Sequence, residues 1–217
     1  MKIGNITSPR ELADAVGRIG FLPFFKNGIP GFSVEENCPQ YLWFTDEPGP
    51  WEWKGPVIKT GTCAYGKFFR GKAVYVSLEW LPHLCNCRRD GYDFDSRCDD
   101  GLVFFRDREI YEIIERAGKI SSNIIRQTAG KDTDKYLTRL QMQTYIVNSD
   151  FLYGKDKNGK SYGWGTAEFS TPEHLYGDVP RRCYGVSPAD SYTAIFDHLK
   201  GIFKDCNEKV LHGLLKY

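Results

Sequence analysis

Residues 105–170 read FRDREIYEIIERAGKISSNIIRQTAGKDTDKYLTRLQMQTYIVNSDFLYGKDKNGKSYGWGTAEFS. Three short amphipathic helices are followed by a two-stranded hairpin with a basic tip. Ile110, Ile113, Ile114 and Ala117 recur at helical intervals and give the first helix one apolar face. Asp107 can cap its start, and Gly118 fits just past its end. Ser121 or Ser122 opens a second helix holding Ile124 and Ile125, and Gly130 breaks it. Asp132 or Asp134 can cap a third, which carries Tyr136, Leu137 and Leu140. Short helices joined by tight turns are the compositional cue for a helix-turn-helix.

The hairpin follows at once. Thr144-Tyr145-Ile146-Val147 is β-branched and aromatic and favours an extended chain, which Phe151 and Tyr153 continue. Asn158-Gly159 is a hairpin signal, because both residues tolerate the positive φ of a two-residue turn. On the return strand Tyr162, Trp164 and Thr166 alternate with Gly163, Gly165 and Ala167. Helices over 108–142 and an antiparallel hairpin over 143–169 are expected, in the order of a winged helix-turn-helix. That architecture sets one helix and one wing against a nucleic-acid duplex. Phosphate contacts are expected from Lys135 and Arg139 on the third helix, and from Lys155, Lys157 and Lys160 at the wing tip.

The flanks are less regular. Upstream, Ser8 caps a helix, Pro9 takes its first position and Glu11 completes a capping box. Leu12, Ala15, Val16 and Ile19 form its core stripe, and Gly20 ends it. A stretch punctuated by Pro and Gly then runs from Phe21 to Pro56. Within it, Tyr41-Leu42-Trp43-Phe44 reads as a strand or a short buried run. Trp51-Glu52-Trp53 alternates as a strand does, which points both indoles one way. Lys72 to Ser77 reads as another strand, and Leu78 to Leu81 as a helical turn. Downstream, Ser187-Pro188-Ala189-Asp190 starts a helix with Tyr192, Ile195, Phe196, Leu199, Ile202 and Phe203 on its apolar face. A last short helix holds Val210, Leu211, Leu214 and Leu215. The expected class is α+β. An aromatic-rich N-terminal α/β lobe occupies residues 1–102, the winged helix-turn-helix 103–170, and C-terminal helices that pack on the body 171–217.

Composition sets limits. The 217 residues suffice for one large domain or two small lobes with a real core. Twenty-nine basic and 28 acidic side chains leave a net charge of +1, which is not the excess of a non-specific polyanion binder. Residues 103–170 hold eleven Lys and Arg against nine Asp and Glu, so contact with nucleic acid must be local, and either of modest affinity or guided by shape rather than by a charged clamp. A membrane span needs about 18 consecutive apolar residues, and the chain has no such run. Nor does it open with the apolar stretch of a signal peptide. Seven cysteines, an odd number without framework spacing, fit a reducing cytoplasm most simply. A monomer is expected, with a dimer contact through the C-terminal helices as the alternative.

Three constellations bear on chemistry. His83-Leu84-Cys85-Asn86-Cys87, with Cys98 downstream, offers zinc-type donors but lacks the usual knuckle spacing. Reduced, buried thiols explain it better, and neither metal nor cofactor is expected. Asp90, Asp93, Asp95, Asp99 and Asp100 lie among Arg88, Arg89 and Arg97. They form a loop of caps and ion pairs, or supply Asp93 or Asp95 as a base or as the stabiliser of an oxocarbenium ion. Among five tryptophans, Trp51 and Trp53, beside Lys54 and between prolines, are the candidates for stacking on an unpaired base rather than filling core.

Four motifs carry a resemblance. Leu140-Gln141-Met142-Gln143, Trp51-Glu52-Trp53-Lys54-Gly55-Pro56, Tyr65-Gly66-Lys67-Phe68-Phe69 and Arg88-Arg89-Asp90-Gly91-Tyr92 resemble short AlkZ-related proteins of the AlkZ-type DNA glycosylase family. The resemblance implies winged-helix modules, duplex DNA as partner, and removal of N7-alkylated purines. The family signature, a Gln, an apolar residue and a second Gln, falls on Gln141, Met142 and Gln143. The implied chemistry is reasonable. An N7-alkylated purine leaves as a neutral base, so the site has mainly to orient a water. In an extended chain Gln141 and Gln143 share one face and can hold that water between them. If the helix runs through them, they diverge. The alternative function is a non-catalytic winged-helix module that binds DNA or a protein.

Overall fold

The structure, a computed structural model, describes residues 3–45, 47–157 and 161–216, and the backbone alone for Ser161, Tyr162 and Trp164. Ser8 accepts a hydrogen bond from the Glu11 amide and starts helix α1 (Pro9–Ile19). The Glu11 carboxylate reaches back past Ser8 to the Thr7 amide and hydroxyl. Then come β1 (Phe21–Pro23), α2 (Val34–Asn37), α3 (Pro50–Lys59), β2 (Cys63–Phe69), β3 (Lys72–Ser77), α4 (Leu81–Arg89) and α5 (Phe94–Asp99). The middle of the chain supplies α6 (Phe105–Ala117), β4 (Ile120–Ser121), α7 (Ser122–Ala129), α8 (Thr133–Met142), β5 (Val147–Lys155) and β6 (Ser161–Ser170). Helices α9 (Pro172–Tyr176), α10 (Pro188–Ile202) and α11 (Glu208–Leu215) close it.

The fold is α+β with two small antiparallel sheets, ordered β1-β3-β2 and β4-β6-β5. The first is covered by helices on both faces. Leu22, Cys63, Tyr65 and Tyr75 face α1 and α3, where Leu12, Val16 and Val57 complete one core. Phe21, Ala64, Val74 and Val76 face Leu84, Leu199 and Leu211 of α4, α10 and α11 in a second core. Strand alternation assigns these two sets to opposite faces. Burying a large apolar side chain stabilises by about 1.5–3 kcal/mol, so this double-sided sheet anchors the structure. At its hairpin turn Arg70 and Gly71 both have positive φ, the two-residue pattern that matches strand twist. A third core lies among α6, α7, α8 and the second sheet: Ile110, Ile114, Ile125, Leu137, Leu140, Ile146 and Phe169, with Phe94 of α5.

Residues 105–170 form three helices and an antiparallel hairpin, as their spacing predicts. The turn at Asn158-Gly159 and the side chain of Lys160 lie outside the described residues. Several local expectations need correction. Helix α6 starts two residues before Asp107, which sits buried in the first turn and pairs with Arg139. Asp132 takes the cap position of α8 in a left-handed conformation and makes no capping bond. The strand read at 144–147 begins only at Val147. Trp51-Glu52-Trp53 is helical, because Pro50 suits the first helical position and Glu52 bonds back to the Gly49 amide at 2.9 Å. Tyr41 to Trp43 forms one 3₁₀ turn with Tyr41 and Phe44 exposed, so it is neither strand nor buried run. Among the described residues no helix is long and apolar enough to cross a membrane.

Candidate nucleic-acid interface

Helix α8 ends in an unusual way. Gln143 is its C-cap, Thr144 follows at φ 62°, and the Tyr145 amide bonds to the Leu140 carbonyl at 3.0 Å. The Thr144 amide bonds to the Gln141 carbonyl at 2.9 Å. These are the two bonds of a Schellman cap, with threonine where glycine is usual. A β-branched residue at positive φ is strained. Arg89, only 1% exposed, holds it there. Its Nη2 donates to the Thr144 carbonyl at 2.7 Å and its Nε to the Thr144 hydroxyl at 3.3 Å. Nη1 reaches Glu173 at 2.5 Å and the Tyr184 hydroxyl at 3.1 Å, and the guanidinium lies over the Tyr145 ring. One buried arginine thus ties α4, the α8–β5 seam and α9 together.

The glutamines on this seam are placed differently from each other. Gln141 is buried, at 2% exposure. Its Oε1 accepts from the Lys67 amide at 3.0 Å, and its Nε2 donates to the Leu137 carbonyl at 3.0 Å. Gln143 is half-buried, and its side chain makes no hydrogen bond among the described residues. The helical conformation continues through both, so side chains two apart point away from each other rather than to one water.

The exposed surface of α8 is limited by the β2–β3 hairpin. Lys67 Nζ meets the Thr138 hydroxyl at 3.2 Å, and Gly71 packs beside Thr138 and Met142. The C-terminal half of α8 is thereby covered, while Asp134 and Lys135 near its start stay exposed. Lys135 pairs with Asp132 at 3.3 Å. Arg139 is engaged by Asp107 at 2.7 Å and lies 4.5 Å over the Phe104 ring. Burial pushes the Asp107 carboxyl up, against the pull of Arg139. Lys155 and Lys157 are exposed on the hairpin. The structure adds three cations that sequence reasoning missed: Lys67, Arg70 and Lys72, all exposed on the hairpin beside α8. The Arg70-Gly71 turn was their only signal, and nothing in the sequence shows that it packs on α8.

The remaining candidates divide. Asp93 caps α5, and the Ser96 amide and hydroxyl hold its carboxyl below the usual range. Asp95 lies in the first turn of α5, and Asp90 is the left-handed cap of α4. Asp90 and Asp93 act as helix caps, and the loop between them meets the α8–β5 seam, where the Tyr145 hydroxyl donates to the Tyr92 carbonyl at 3.3 Å. Trp53 is buried, and its indole N–H donates to the Pro48 carbonyl at 2.8 Å. Trp51 is half-buried in an aromatic cluster with Phe24, Phe25 and Trp43. Strand β5 joins that cluster through Phe151, and the Tyr153 hydroxyl donates to the Trp51 carbonyl at 3.2 Å. All seven cysteines are free thiols. Among the described residues no group of three or more His, Cys, Asp or Glu side chains is placed to hold a metal.

Set beside known proteins, neither the curated proteins nor the solved structures give a match. The four motifs that carry the resemblance all sit at packed seams: α3 against β5, β2 against α8, and α4 against the α8–β5 turn. A family model described as AlkZ related matches residues 6–216, nearly the whole chain, and the protein therefore belongs to the AlkZ-related family.

Proposed function

We propose that the protein binds duplex DNA, with residues 103–170 acting as a winged helix-turn-helix and α8 as the helix that approaches the groove. One observation carries this reading. The β2–β3 turn packs on α8 at Thr138 and Met142 and carries Lys67, Arg70 and Lys72, all exposed, while Lys135 is exposed at the start of α8 and Lys155 and Lys157 are exposed on the β5–β6 hairpin. Helix-turn-helix proteins contact bases from the N-terminal part of the recognition helix and position it through phosphates. Membership of a glycosylase-like family agrees with this, and alkylated duplex is the natural substrate to offer. The test is anisotropy of a labelled duplex, with and without 7-methylguanine, at about 50 mM salt and upward. Each phosphate contact removed lowers the salt slope by about one. Neutralising Lys67, Arg70 and Lys72 together is expected to weaken binding to all sequences and flatten that slope. No binding by the parent protein at low salt overturns the reading.

A second reading, hydrolysis of the N-glycosidic bond of an alkylated purine, is favoured by one further observation. Gln143 offers an amide without a hydrogen-bond partner among the described residues, next to a strained residue, and strain of this kind clusters at functional sites. Here Gln143 orients the water and Gln141 positions the seam through Lys67. Release of 7-methylguanine from a duplex measures it. Losing a water-orienting group commonly costs about a hundredfold in rate, so Gln143→Ala is expected to lose most base release at unchanged melting temperature. Wild-type protein that binds DNA and releases no base leaves a binding module.

A further inference from the structure

Lys54 sits in the aromatic cluster of α3 and β5, and its surroundings are unlike those of any other described lysine. Its ammonium lies 4.2 Å from the Phe151 ring centroid, 5.3 Å from Trp51 and 5.8 Å from Phe24. Trp43 closes on Trp51 edge-on at 5.5 Å, and the Phe24 and Trp51 planes are tilted by 48°. The walls form a box rather than two parallel plates. Such a box suits a compact cation better than a flat ring. Among the described residues the Lys54 ammonium makes no hydrogen bond and no ion pair. The Glu52 carboxylate lies within electrostatic reach but bonds to the Gly49 amide.

We propose that Phe24, Trp51 and Phe151 form a cage for a compact quaternary ammonium group, and that Lys54 is its resident, displaceable occupant. Ring faces attract cations through the quadrupole, and the attraction grows as water is excluded. A cage that offers faces and no acceptors favours a cation with no N–H to satisfy. A lysine ammonium has three such donors and meets no protein acceptor here among the described residues, whereas a trimethylammonium has none. Burial also lowers the Lys54 pKa to about 8, with Glu52 opposing. This site stands on its own geometry and does not depend on the DNA reading.

The experiment is a titration of the full chain with choline, followed by tryptophan fluorescence and by ligand NMR. Its neutral isostere 3,3-dimethyl-1-butanol is run in parallel. Lys54→Ala removes the intramolecular competitor and is expected to bind choline at least about tenfold more tightly than wild type, a gap of about 1.4 kcal/mol. Neither protein is expected to bind the isostere comparably. Adding Phe151→Ala to the Lys54→Ala chain is expected to abolish binding. If that double variant unfolds, Phe151→Leu keeps the volume and removes the ring. Equal affinity for choline and the isostere overturns the proposal, as does no choline binding by Lys54→Ala. Preference for 7-methylguanosine, a flat cation, over choline overturns the compact cage. DNA binding is read separately and does not enter any of these outcomes.

Discussion

Two polar side chains lie on helices that pack against β2, Gln141 on α8 and Lys54 on α3, and their environments are opposite. Gln141 of α8 is buried with its amide nitrogen and oxygen both bonded to backbone. Lys54 of α3 is half-buried among rings and bonds to no protein group among the described residues. The first is a strut. It satisfies a strand amide that the hairpin leaves open, and it locks α8 to β2. The second is a half-buried ammonium set against ring faces, with no protein acceptor among the described residues. Motif recognition points to the glutamine. Counting hydrogen bonds points to the lysine.

The largest effect should come from the residue that holds the glutamine seam in place. Arg89→Ala leaves Glu173 and the Thr144 carbonyl without their buried partner. Breaking such a pair costs about 3–5 kcal/mol, and urea unfolding is expected to show a loss of that size. A loss below about 1 kcal/mol would mean that the seam holds without its arginine. Next comes Gln141→Ala, which strands the Lys67 amide and is expected to cost about 1–3 kcal/mol, while Gln143→Ala stays within about 0.5 kcal/mol. Equal costs for the two would erase the distinction between strut and free amide.

Gly55→Ala probes the lysine side. A Cβ there meets Asp150 Oδ1 at 2.6 Å, where Asp150 is already held by Lys59 at 2.6 Å. Overpacking of this kind costs about 1–3 kcal/mol, and it should push Phe151 away from Lys54. The expected readouts are a lowered melting temperature and weaker choline binding in the Lys54→Ala background. Unchanged affinity would separate the cage from the α3–β5 contact. The smallest effect concerns the thiols. Burial pushes Cys38 and Cys63 up to about 12, so at pH 8 they are almost wholly protonated. Thiol reagent is expected to leave both unmodified in native protein, and mass spectrometry after brief labelling reads this directly. Fast labelling of Cys63 would show that the α3–β2 core opens readily.

Local rules were enough for much of the chain. The isoleucine spacing of α6, the Ser121 and Ser187 caps, the Pro9 start of α1 and the glycine ends at 20, 118 and 130 act within one or two turns of a helix. They are legible because hydrogen bonds and apolar periodicity there involve neighbours in sequence. Trp51-Glu52-Trp53 misled for the converse reason. Alternation over three residues fits either period, and the cap at Gly49 decides the matter only once Glu52 is seen to reach it. The family motif Gln141-Met142-Gln143 was also visible in the sequence.

What those glutamines touch was decided by tertiary structure alone. Lys67 lies 74 residues from Gln141, and Thr144 lies 55 from Arg89. The Lys54 ammonium meets rings brought from β1's end, α3 and β5, and Lys67, Arg70 and Lys72 become neighbours of α8 only when the first sheet docks on it. The sequence by itself determined α1, the three helices and hairpin of residues 105–170, the C-terminal helices and the family. The pairing of distant elements determined which polar groups are satisfied, because burial and hydrogen bonding across a core depend on three-dimensional neighbours that no local pattern encodes.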